Sequence, residues 1–73
     1  MINNLDMADM WLITEITKEI CWKFGVSEIT AKKMIKESNF MSLLQSMPEQ
    51  VHHESPQSWA MSISKQSGLH ELV

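Results

Sequence analysis

Between Met10 and Ile35 the chain carries a long apolar stripe, a Phe24-Gly25-Val26-Ser27 break, and a shorter stripe backed by lysines. At about 100° per residue, Met10, Ile13, Ile16, Thr17, Ile20 and Phe24 share one face of a helix. No glycine or proline interrupts that run, so it predicts a single long helix over residues 7–24. Gly25 suits the left-handed position just past a helix end, and Val26 is placed to fold back onto the last turn. Ser27 then caps a second helix over residues 28–37. Two helices joined by a tight corner are thus the frame, and the remaining segments clad it.

Upstream, Asn3, Asn4 and Asp6 offer caps, and Asp6 with Asp9 sets negative charge at the positive end of the first helix. In the second helix Ala31, Met34 and Ile35 face one way, with Lys32, Lys33 and Lys36 on the other side. Ile29 falls among the lysines and is expected to meet another segment. Ser38-Asn39 stops this helix and caps a short third one over residues 40–46, which holds Phe40, Met41, Leu43 and Leu44. Pro48 ends it, because the residue before a proline is pushed out of helical conformation. Residues 47–54 then read as a loop.

Ser55-Pro56 opens a last helix over residues 56–66, a capping hydroxyl followed by proline at the first helical position. Trp59, Ala60 and Ile63 form its narrow apolar edge. Ser67-Gly68 closes it, with Leu69 and Leu72 packing back. No segment shows the strict alternation of a half-buried strand. The predicted fold class is all-α: a small four-helix domain with a long first helix and a tight Gly25 corner. Residues 1–73 form one domain, with residues 1–5 and 69–73 frayed.

A chain of 73 residues buries a modest core and gains from any surface a partner adds. Its seven methionines are read mainly as adaptable core fillers. One cysteine, Cys21, makes no internal disulfide, which fits a reducing cytoplasm. The first residues lack the basic flank and apolar run of a secretory signal. No apolar run approaches the roughly 20 residues of a membrane span. The expected location is cytoplasmic, with no membrane partner. A net charge of -3 and the absence of arginine argue against nucleic acid, whose binders carry a basic excess to displace counterions.

The run Ile20-Cys21-x-x-Phe24-Gly25-Val26-Ser27-x-x-Thr30-Ala31-x-x-Met34-Ile35 resembles the core of a helix-turn-helix DNA-binding unit. That resemblance implies that Cys21, Gly25 and Ser27 build the turn, while Lys32, Lys33 and Lys36 touch phosphates. Against it, the stripe from Met10 to Phe24 leaves no separate helix ahead of the unit. The start of the would-be recognition helix offers only Glu28, Ile29 and Thr30 to a base edge. The same corner, followed by Ala31, is also similar to the loop and second helix of ubiquitin-associated domains, although the aromatic lies on the other side of the glycine. Over most of its length, through Ser27, Ala31, Ser38 to Leu44, His53 and Ser55 to Ile63, the chain resembles a family of small uncharacterised bacterial all-helical proteins. That resemblance implies an accessory or antitoxin-like partner of another protein.

Chemistry is poorly provided for. Cys21 reads as a small apolar helix residue rather than a nucleophile. His52, His53 and Glu54 sit in the expected loop, with His70 near the end, and lack the i, i+4 spacing of a helical metal site. There is no glycine-rich phosphate loop and no carboxylate pair. No catalytic residue, metal or cofactor is therefore assigned, and the chain is not expected to be an enzyme.

Trp11 and Trp22 are the informative residues. They stand three helical turns apart, about 16 Å, and both project away from the Ile13, Ile20 and Phe24 face. Exposed aromatics of this kind anchor interfaces. The plainer reading is that the last helix, with Trp59, covers that side. The interface reading is preferred at Trp11 and the covered reading at Trp22. The expected function is a protein–protein interaction module that binds a partner protein, or a second copy as a homodimer, through the first helix. Met7, Trp11, Glu15 and Lys18 form its face, joined by Trp22 where the last helix leaves it open. The alternative is a helix-turn-helix regulator using the Lys32, Lys33 and Lys36 face.

Overall fold

A computed structural model describes residues 7–68, and every regular element among them is an α-helix: α1 (Met7–Phe24), α2 (Glu28–Glu37), α3 (Phe40–Ser46), α4 (Pro48–His53) and α5 (Pro56–Ser67). None of these helices is long and apolar enough to cross a membrane. The expected caps Asn3, Asn4 and Asp6, the frayed ends, the packing of Leu69 and Leu72, and His70 lie outside the described residues.

α1 packs against α2 and α5. It does so through a seam of every fourth residue, Leu12, Ile16, Ile20 and Phe24, with buried Thr17 beside it. The Thr17 hydroxyl donates to the Ile13 carbonyl at 2.7 Å, which satisfies it inside the core. A seam spaced by four winds around its helix by about 40° per step. Near the start of α1 it therefore points about 160° away from Met10. This corrects the predicted stripe: Leu12 is core, whereas Met10 is exposed and Ile13 only half-buried. The methionines follow suit. Of those described, Met34 is buried and Met41 and Met61 pack at the core's edge, but Met7, Met10 and Met47 are exposed. Core packing thus takes half of the described methionines rather than most of them, because Met7 and Met10 fall off the winding seam.

Ala31, Met34 and Ile35 of α2, Phe40 and Leu44 of α3, Val51 of α4, and Ala60 and Ile63 of α5 complete the core. Ile29, expected to meet another segment, is exposed. It lies about 160° around α2 from Ala31, on the side turned from the core.

The helix ends are set by local chemistry. Gly25 has φ 65°, and its N–H donates to the Cys21 carbonyl at 3.0 Å. The Ser27 hydroxyl accepts from the Thr30 N–H at 3.2 Å, and the Ser55 hydroxyl accepts from the Ser58 N–H at 3.1 Å. Between α2 and α3 the cap is Ser38, whose hydroxyl accepts from the Phe40 N–H and donates to the Ile35 carbonyl. Asn39 bonds across the fold instead. Its N–H donates to Gln66 Oε1 at 3.1 Å, and Gln66 Nε2 donates to Asn39 Oδ1 at 2.9 Å. This reciprocal pair fastens the end of α5 to the α2–α3 junction.

The predicted loop at 47–54 is the main correction, and among the described residues it turns four predicted helices into five. Pro48 ends α3 and also opens α4, at a position where a missing N–H costs nothing. The short helix is held by Val51, which is 2% exposed, and whose carbonyl accepts from Trp59 Nε1 at 3.0 Å. The Trp59 ring in turn meets Phe40 edge-on, with centroids 5.0 Å apart, a favoured aromatic geometry. One buried residue in a six-residue helix leaves no period to read. His52 is not simply solvated either, since its Nε2 lies 2.6 Å from Asp9 Oδ1 and ties α4 to the start of α1.

Candidate partner-binding face

With α2 and α5 packed on the inner side of α1, its outer side stays open. Met7, Trp11, Glu15, Lys18 and Trp22 follow one another at steps of four, four, three and four residues. Those steps keep all five within about 80° of helix circumference. Met7 is 85% exposed, Trp11 57% and Trp22 83%. Glu15 is half-buried and Lys18 exposed. Two tryptophans about 16 Å apart thus flank a charged centre along one ridge.

Trp22 is the one whose surroundings differ from expectation. α5 does not cover it. That helix instead runs along the flank of α1 marked by Glu19, whose carboxylate accepts from Gln57 Nε2 at 3.3 Å. The covered reading of Trp22 is therefore wrong, because it assigned α5 to the side of α1 that bears the tryptophans. Within the ridge, Lys18 Nζ donates to Glu15 Oε2 at 3.3 Å. An exposed pair of this kind adds little stability, but it holds both side chains over the midpoint between the two indoles.

Beside Trp22 the surface dips into a shallow hollow of about 370 Å³, lined by Thr17, Lys18, Cys21, Trp22 and Glu28. Sequence reasoning missed Thr17, Cys21 and Glu28 as members of this surface. Cys21 is half-buried and packs against the core, while Glu28 comes to the hollow from the start of α2. Met10 is exposed as well, but it lies about 100° around α1 from Trp11 and so off the ridge. Its angle to Leu12 was the available signal of that exposure. A second hollow of about 230 Å³ lies among α3, α4 and α5 beside Met47 and Trp59.

The alternative face is also on the surface. Lys32, Lys33 and Lys36 are exposed on the outer side of α2, and Glu28, Ile29 and Thr30 are exposed at its start. Among the described residues, no three of His, Cys, Asp and Glu are grouped so as to hold a metal ion. Compared with protein-family models, curated proteins and solved structures, the chain matches none.

Proposed function

We propose that this chain is a small interaction module, accessory or antitoxin-like in character, that acts in the cytoplasm by binding a partner protein or a second copy of itself. The binding face is the outer ridge of α1: Met7, Trp11, Glu15, Lys18 and Trp22. Burial of the indoles and Met7 supplies affinity, and Glu15 with Lys18 sets orientation. The tight Gly25 corner turns the chain from α1 into α2, whose first residue Glu28 borders the ridge beside Trp22. The module works by contact, without catalysis, metal or cofactor. The resemblance to small bacterial helical accessory proteins adds to this reading.

One observation carries it: Trp11 and Trp22 stand exposed on the same side of a helix whose other side is already buried. Trp11→Ala tests it. Association, read by sedimentation, should weaken by roughly 2 kcal/mol or more, as for a central aromatic anchor. Monomer stability, read by thermal melting, should change by less than about 1 kcal/mol, as for a surface site. Loss of folding in the variant, with no associating species in the wild type, would remove the site.

A second reading has one observation in its favour, the exposure of Lys32, Lys33 and Lys36 along α2. It makes the chain a helix-turn-helix regulator. Binding through phosphates weakens steeply with salt, whereas an apolar ridge hardly responds.

A further inference from the structure

The outer ridge of α1 reads alike from both ends. It runs Trp11, three residues, Glu15, two residues, Lys18, three residues, Trp22. Laid antiparallel against a copy of itself about its midpoint, the ridge sets Trp11 opposite the partner's Trp22. The same register necessarily sets Glu15 opposite the partner's Lys18. A surface that pairs unlike charges under a two-fold operation is self-complementary, which is the requirement for an isologous dimer.

We propose that two copies of this chain associate through α1 packed antiparallel on α1, in that register. The inference rests on the assignment of the α1 ridge as the binding face, and it commits that face to a second copy. Glu15 and Lys18 already lie 3.3 Å apart within one chain. The two-fold operation therefore closes an alternating ring of four charges at the centre, with two tryptophans on either side. Parallel pairing of the same ridge places Glu15 against Glu15 and Lys18 against Lys18, so charge selects the antiparallel arrangement. The four indoles contribute on the order of 500 Å² to a contact whose stable size is ~1,200–2,000 Å². Exposed Met7 extends the ridge beyond Trp11.

The test is sedimentation equilibrium of the full chain over a concentration series, with circular dichroism to verify that each variant folds. Wild type should form a reversible dimer. Glu15→Lys, at a half-buried position, and Lys18→Glu, at an exposed one, should separately weaken it by roughly tenfold or more, because each places like charges at the centre twice. An equimolar mixture of the two variants should recover the dimer, since every opposed pair is then unlike again. The double reversal Glu15→Lys with Lys18→Glu should recover it for the same reason. In a parallel dimer the directly opposed pairs are like-charged before and after either reversal, so the single reversals would weaken it far less. A wild type that stays monomeric throughout, or a dimer indifferent to both reversals, overturns the proposal. The two underlying failures separate cleanly. A monomeric wild type removes the second copy alone, whereas a dimer that survives both Trp11→Ala and Trp22→Ala removes the α1 ridge as well.

Discussion

Along its inner side α1 sets Leu12, Ile16, Ile20 and Phe24 four residues apart and buries each one; along its outer side it sets Met7, Trp11 and Trp22, and each is exposed. Apolar content does not separate the two sides, since the outer one carries the larger side chains. Continuity does. The inner seam has no charged member, and α2 and α5 lie along it. The outer ridge interrupts its indoles with Glu15 and Lys18, which a permanently buried core would not accommodate without a large desolvation cost. Apolar anchors around an ion pair are what a surface needs when it must survive both in water and covered.

The largest effect expected from this contrast is at Ile20, which is fully buried at the middle of the seam. Ile20→Ala should cost about 2–5 kcal/mol, from lost transfer energy and the cavity left behind. That is a large share of the ~5–15 kcal/mol typical of a whole domain. Urea denaturation should show a much lower midpoint, and a loss under about 1 kcal/mol would end the distinction between the two sides. Trp11→Ala removes a larger side chain from the outer side, yet should disturb the monomer far less.

Next in size is Gly25, directly after the last seam residue, where φ is 65°. A β-branched side chain in that conformation is strained, so Gly25→Val should cost roughly 1–2 kcal/mol and lower the melting temperature. Gly25→Asn should cost clearly less, because asparagine visits left-handed backbone more readily. Equal losses for the two variants would mean that the strain lies elsewhere.

Helix ends were legible wherever the chain marks them with chemistry of its own. Ser27, Ser38 and Ser55-Pro56 placed the starts of α2, α3 and α5, and the bounds expected for the first three helices are those observed. α4 was not legible, because Pro48 serves as a stop and a start at once and Val51 is its single buried residue. The choice of Met10 over Leu12 failed for a different reason: a fixed face was assumed where the seam winds. The candidate ridge was partly legible. Helix geometry gives the shared direction of Trp11 and Trp22, but the exposure of Trp22 depends on which flank α5 takes. The long-range bonds of α5, Gln57 to Glu19 and Gln66 to Asn39, join residues far apart in sequence and leave no local pattern.

The smallest effect is expected on the outer side of α2, which differs from the outer side of α1 in kind. Lys32, Lys33 and Lys36 are exposed there with Ile29 as the one large apolar side chain nearby, and no indole stands among them. A lysine side chain in water keeps its hydration and much of its conformational freedom, so its loss changes stability little. The triple change Lys32→Gln, Lys33→Gln and Lys36→Gln should leave the melting temperature nearly unchanged, within about 0.5 kcal/mol of wild type. Association through α1 should be equally indifferent to it, because the ridge lies on another helix. Duplex DNA is the discriminating ligand. Each phosphate contact supplied by a lysine adds to the slope of affinity against salt, so a regulator would lose both affinity and slope in the triple variant. Fluorescence anisotropy with a labelled duplex, at low and moderate salt, reads this directly. Wild type and variant should give the same weak signal; tight, salt-sensitive binding that the triple change abolishes would transfer the functional face from α1 to α2.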